Sequence, residues 1–288
     1  LKDQLNDAAR RSRTIKIERP DGSKLTLKDT VLPKYFDDLL ALCNMRKNVL
    51  LVGPAGCGKT HAAEMSATAL GLPFESVSCT AGMSEAHLTG RVRPKLTGDD
   101  LFQTTGFLKC YEQGGVFLFD EFDAADPNLL LVVNTALANG YCNVPNRDAN
   151  TRAKRHADFV AVATANTYGR GATRMYSGRN QIDEATLDRF RIGLIECEYD
   201  TVIEEALCPD EELRKWCWSV RAGIDKAQLR RVMSTRFMKD AYEMKAGAGW
   251  DNKKIADVYF NGWGADERNK VETARYEQRT VEAKKLSF

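Results

Sequence analysis

One octapeptide sets the terms for the whole chain. Gly53-Pro-Ala-Gly-Cys-Gly-Lys59-Thr60 fits the spacing G-x-x-x-x-G-K-[ST], between the apolar run Asn48-Val-Leu-Leu-Val52 and a helix-like stretch from His61 to Leu70. Glycines at these places let the backbone curl until several N–H groups point at one centre. The start of the following helix adds positive potential at that centre. A loop of this kind binds phosphate. It makes Gly53, Pro54, Ala55, Gly56, Cys57, Gly58, Lys59, Thr60 and His61 the expected surroundings of a nucleotide's phosphates. Lys59 would reach the β- and γ-phosphates of ATP, and the Thr60 hydroxyl would ligate Mg²⁺. Cys57 lies close to a helix N-terminus that favours a thiolate, so alkylation there is expected to block nucleotide binding. Equally, it is a small residue that the loop tolerates.

From this loop onward, strand-like and helix-like stretches alternate: a strand over 48–52, a helix over 60–70 and strands near 74–78 and 115–119. A helix near 127–139 follows, then strands near 158–163 and 192–197. Alternation of this kind reads as a parallel sheet covered by helices, and with the phosphate loop it resembles the three-layer αβα core of a P-loop NTPase. Ahead of it, residues 14–28 alternate apolar and polar around Asp21-Gly22, a hairpin signal. After residue 200 the strand signals stop. Cys208-Pro209 opens a helix expected to end at Gly223, Ser234 caps another ending near Gly247, and residues 265–285 form a charged helical tail. The expected organisation is therefore an extension over 1–33, an α/β core over 34–200 and an all-helical lid over 201–288.

Gly115-Val-Phe-Leu-Phe119 is a buried-strand run ending in Asp120-Glu121. Carboxylates there share a sheet edge with the phosphate loop. Asp120 would hold Mg²⁺ through water and Glu121 would polarise the attacking water. Asp123 and Asp126 read as capping residues, Asp126-Pro127 being a good N-cap and N1 pair. The next apolar strand, Phe159-Val-Ala-Val-Ala163, runs into Thr164-Ala165-Asn166, which places an amide where it can orient water against a γ-phosphate.

Composition closes off other classes. The 288 residues carry 42 Lys+Arg against 40 Asp+Glu, a net charge of +2, which weakens the case for a polyanion coat. Eight cysteines form no C-x-x-C pair and only three histidines exist, so zinc-ribbon and redox readings are poor. Reduced, mostly buried thiols in a cytoplasmic protein are expected. Apolar runs reach only about five residues, far below the ~18 needed to span a bilayer, and no membrane partner is expected. Leu1 to Arg13 contains no apolar stretch of the secretory kind.

The order of phosphate loop, Phe117-Leu-Phe-Asp-Glu121, Ala163-Thr-Ala-Asn166, Leu187-Asp-Arg-Phe190 and Ser234-Thr-Arg236 resembles the AAA+ ATPases. Within them it looks most like the MoxR and dynein-related branch, which includes CbbQ/NorQ-type activases and the CobS chelatase subunit. The likeness covers roughly residues 34–245. It implies Asn166 as sensor 1, Arg236 as sensor 2 and Arg189 as an arginine finger completing a neighbouring subunit's site. Arg191, Arg179 and Arg174 stand close enough in sequence to take the finger's place. The resemblance further implies a homo-oligomeric ring, usually a hexamer, that remodels a protein client, often with a von Willebrand factor A-domain partner. Segments 88–108 and 141–157 resemble the inserted hairpins of this branch, which point toward the ring pore; ordinary surface hairpins are the alternative.

Rival readings remain open at this level. Arg91, Arg93 and Lys95, or Arg152, Lys154 and Arg155, could touch nucleic acid in a motor or loader. A chelatase motor subunit and a GTP-specific relative are the other two. The basic stretch from Gly169 to Arg179 has no assigned role beyond lining a subunit interface.

Overall fold

The structure is a computed structural model that describes residues 15–18, 22–27, 31–94 and 101–285. Ile15–Glu18 (β1) pairs antiparallel with Lys24–Leu27 (β2), as the alternating arms require. Asp21 of the expected turn lies outside the described residues, as do Lys95 and the tip of the first inserted hairpin.

The chain then runs through α1 (Phe36–Asn44), β3 (Val49–Val52), α2 (Lys59–Leu70), β4 (Phe74–Ser78) and α3 (Ala86–Thr89). An antiparallel pair follows, β5 (Arg91–Arg93) with β6 (Leu101–Gln103), then α4 (Gly106–Gln113), β7 (Gly115–Asp120) and α5 (Pro127–Asn139). A second antiparallel pair, β8 (Tyr141–Asn143) with β9 (Arg152–Lys154), leads to β10 (Phe159–Ala165), α6 (Glu184–Asp188) and β11 (Leu194–Glu196). Five of these strands form one parallel sheet in the order β11-β3-β10-β7-β4. Every residue of β3 and β10 is buried. A strand buried on both sides must be covered on both faces, which is why these segments read as unbroken apolar runs rather than alternating ones. The α/β reading holds.

The core on one face is aromatic. Phe107 and Tyr111 of α4 meet Phe117 and Phe119 of β7 and Phe159 of β10, with ring centroids 4.9–6.0 Å apart. Edge-to-face contacts such as Phe107–Phe117, at 79° between planes, add to the burial itself. All eight cysteines are buried and none is in a disulfide. Among the described residues, no helix is long and apolar enough to cross a membrane.

Beyond the sheet come α7 (Thr201–Leu207), α8 (Glu211–Lys226), α9 (Thr235–Ala248), α10 (Asn252–Tyr259) and α11 (Ala265–Lys285). The sequence pattern missed α7 and α10, which span only 7 and 8 residues and leave little periodicity to detect. Helix α8 begins at an Asp210 cap, whose carboxylate accepts from Leu213 N at 2.8 Å, rather than at Cys208-Pro209. Nor does it stop at Gly223. It continues to Lys226, and a Cβ at Gly223 would stand 3.1 Å from Val271 Cγ1, so this glycine admits α11 instead of ending the helix. Ser234 caps α9 as expected, accepting from Phe237 N at 3.2 Å, but the helix runs on to Ala248 and closes at a left-handed Gly249.

Two compact units result: Arg13–Gly53 with Gly58–Glu198, containing the sheet, and Pro54–Cys57 with Tyr199–Phe288, containing the C-terminal helices.

Candidate active site

The strand–loop–helix unit of β3 and α2 forms the loop that the octapeptide predicts. Gly58 takes φ 92° as the N-cap of α2 and Gly56 takes φ 74°, backbone that only glycine adopts without strain. In the helical unit, a Cβ at Gly56 would also fall 2.7 Å from the Ser234 Cβ, too close for a side chain. There the Tyr199 hydroxyl donates to the Ala55 carbonyl at 2.9 Å. Cys57 is 9% exposed, whereas His61 on the first turn of α2 is exposed.

Lys59 is buried apart from 8% of its surface. Its Nζ donates to the Gly53 carbonyl at 2.8 Å and to Asn166 Oδ1 at 3.1 Å. The ammonium thus bridges the phosphate loop and the end of β10. Because both of these acceptors are neutral, this pairing does not cancel its charge.

The C-terminal end of β7 lies beside this bridge. The Thr60 hydroxyl donates to Asp120 Oδ2 at 3.1 Å, and the Thr164 hydroxyl donates to Asp120 Oδ1. Hydroxyl and carboxylate oxygens are the hard donors that Mg²⁺ takes. Among the described residues no group of three or more His, Cys, Asp or Glu side chains could hold a metal alone. The donor set therefore fits an ion that arrives with phosphate oxygens and water, not one held in an all-protein cage. Burial, followed by the charges of Asp120, Glu121 and Asp123, pushes the nearby Cys79 thiol up to about 12. The Cys79 thiol is therefore inert at neutral pH.

Glu121 follows with φ 54° and ψ 40°, a left-handed conformation that costs a non-glycine residue about 1–2 kcal/mol. Its N–H donates to Thr164 Oγ1 and to Asp120 Oδ1, both at 3.2 Å. Those bonds turn the chain so that the carboxylate leaves the strand direction, and the side chain is 48% exposed.

Asp123 corrects the sequence reading. It does not cap a helix. Fully buried, it takes three hydrogen bonds on Oδ2, from Asn166 N at 3.1 Å, Thr167 N at 2.9 Å and the Thr167 hydroxyl at 2.9 Å. It fixes the end of β10 and with it the backbone of Asn166. Asp126 does cap α5, accepting from Asn128 N at 2.8 Å.

The arginines separate. Arg189 is the C-cap of α6 with an exposed side chain, and its carbonyl accepts from Asn48 Nδ2 at 3.0 Å. Arg236 is exposed on the first turn of α9 in the helical unit. Arg179 folds back to within 3.4 Å of Glu121 and 3.5 Å of Asp123. In the sheet unit, Lys59, Thr60, Asp120, Glu121 and Asn166 are thus brought into one cluster, of which Arg189 is not part; Arg236 belongs to the helical unit. Of the basic residues on the hairpins, Arg91, Arg93, Arg152 and Lys154 are exposed. Arg155 turns inward, donating to the Phe159 carbonyl at 3.3 Å and lying 5.2 Å from that ring's centroid. It belongs to the framework.

Residues 48–190 match the family model described as AAA domain (dynein-related subfamily). The chain is similar to an uncharacterised protein of Staphylococcus haemolyticus, 27% identical over 229 residues, covering 69% of this chain and 83% of that one. Another from Staphylococcus epidermidis is 29% identical over 190 residues, covering 62% and 68% respectively. A crystal structure of a candidate ATPase from Cytophaga hutchinsonii aligns with a TM-score of 0.46 at 14% identity, over 95% of this chain and 92% of that one.

Proposed function

We propose that the chain, whose residues 48–190 match the model of an AAA domain, hydrolyses ATP and works as a ring-forming AAA+ motor of the MoxR type, remodelling a partner protein at the expense of ATP. The observation that carries this reading is the Lys59 bridge, whose ammonium joins Gly53 O and Asn166 Oδ1. Phosphate loop, metal-binding oxygens and water-orienting amide then serve one reaction.

In this reading the loop from Gly53 to His61 wraps the phosphates, and Lys59 exchanges its neutral partners for β- and γ-phosphate oxygens. Thr60 and Asp120 would hold Mg²⁺, which when bound would neutralise phosphate charge. Glu121 accepts a proton from water and Asn166 keeps that water in line with the departing phosphoryl group. Arg236 senses the γ-phosphate. Arg189, exposed at the end of α6, reaches the site of the next subunit in a hexamer. A guanidinium there stabilises transition-state charge and is worth about 10³–10⁵ in rate in known cases. The client is reached through the hairpins β5–β6 and β8–β9, with a von Willebrand factor A-domain polypeptide as recruiter.

The test is electron microscopy of Glu121→Gln protein with Mg-ATP, beside a turnover assay. That variant should bind ATP, lose hydrolysis and accumulate as closed rings. Wild-type turnover from it, or particles that stay single subunits at saturating ATP, would refute the reading.

A further inference from the structure

Between the end of β10 and α6 the chain makes an excursion that closes on itself. Arg170 bridges Gln181 and Ile182 N donates to the Gly169 carbonyl at 2.8 Å, so the two ends of the excursion are tied together. Its far side is stapled to the segment after β7. Asn180 N donates to the Asp123 carbonyl at 2.7 Å and Asn180 Nδ2 donates to the Ala125 carbonyl at 2.9 Å. The residue before that staple is Arg179.

Arg179 does not behave as a surface arginine, since only 12% of its side chain is exposed. Its two terminal nitrogens face the two oxygens of Glu121, Nη2 at 3.4 Å from Oε1 and Nη1 at 3.5 Å from Oε2. Nη1 is also 3.5 Å from Asp123 Oδ1. That oxygen is buried and has no hydrogen-bond partner. The other oxygen of the same carboxylate carries the backbone of Asn166 and Thr167. A planar fork shared between two carboxylates restrains both, as a lysine's single ammonium cannot.

We propose that Arg179 is a positioning residue acting within its own subunit, orienting the Glu121 carboxylate and locking it in register with Asn166 through Asp123. This rests on Glu121 being the residue that activates water. The physical need is plain. Glu121 is half exposed on a strained backbone, and Arg179 meets both oxygens of its carboxylate. A base that wanders by an ångström loses on the order of 10²-fold in rate. The same geometry removes Arg179 from the candidates for a finger reaching a neighbouring site, since its charge is already spent on its own subunit's acids.

The experiment compares Arg179→Ala and Arg179→Lys in the full chain, measuring kcat and KM for ATP, thermal melting and activity after mixing with Lys59→Ala protein. Arg179→Ala should lower kcat by roughly 10- to 100-fold with KM changed less than about twofold, because orientation rather than phosphate binding is lost. Arg179→Lys should recover part of kcat, and mixing Arg179→Ala with Lys59→Ala subunits should recover none, since each site then lacks a group of its own. The proposal falls if Arg179→Ala leaves kcat unchanged, raises KM alone, or regains activity in the mixture, the last being the mark of a residue that serves a neighbour. Should Arg179→Ala melt at room temperature, Arg179→Lys decides: a lowered kcat with an unchanged melting curve supports the fork, and full activity overturns it. Retained turnover in Glu121→Gln would remove the underlying reading instead, so the two failures are separable.

Discussion

The sheet unit and the helical unit dispose of charge in opposite ways. In the first, β7 and β10 carry apolar side chains through the interior and deliver Asp120, Glu121 and Asn166 only at their C-terminal ends. In the second, a carboxylate sits at the centre. Glu204 of α7 is fully buried and accepts from Trp218 Nε1 at 2.6 Å and from the Thr235 hydroxyl at 2.6 Å. Arg221 of α8 donates to both its oxygens, at 2.5 and 3.1 Å, and spends its Nε on the Met233 carbonyl at 2.8 Å. Three helical residues are thus registered on one charge. A parallel sheet gains its register from the backbone ladder and can leave its interior apolar. Short helices have no such ladder between them, and here a buried ion pair with full hydrogen bonding supplies the register.

The contrast can be broken at several points. Phe107→Ala should cost about 4 kcal/mol by urea denaturation, because it empties the centre of five packed rings in the sheet unit. Removing the opposing hub by Glu204→Ala should cost about 3 kcal/mol, since the largely covered Arg221 then loses its carboxylate. A far smaller loss would mean that apolar packing, not the charge, registers the helices. Gly223→Ala should cost about 2 kcal/mol in the same assay, by forcing α11 away at Val271. Ser234→Ala should cost about 1 kcal/mol through the lost cap of α9, read as a shift in melting temperature. At the bottom of the scale, Lys215→Ala breaks an exposed pair with Glu211 and should leave the melting temperature where it was.

What could be read from the residues follows the same divide. Strands β3, β7 and β10 were legible because burial on both faces writes continuous apolar runs. The phosphate loop was legible because its glycine spacing has one good use. Asp123 was not, since a carboxylate two residues after Glu121 looks like any cap until β10 arrives to donate to it. Arg179 acts on Glu121 across 58 positions of sequence, and no local pattern encodes such a pairing. Glu204 was hidden for a related reason: an acid on a seven-residue helix reads as solvated, and only Arg221, Trp218 and Thr235 together make it interior.

The eight sequestered sulfurs give the molecule a built-in chemical clock. Burial pushes Cys43, Cys110 and Cys142 up to about 11 and Cys217 to about 12, so at neutral pH only about one in ten thousand or fewer is ionised. A thiol-specific dye can therefore react at these positions only as fast as each neighbourhood opens. Cys57, the most accessible at 9%, should be tagged ahead of the rest. The order in which the remaining seven follow, read by mass spectrometry, would rank the breathing of the sheet against that of the helices in a single tube.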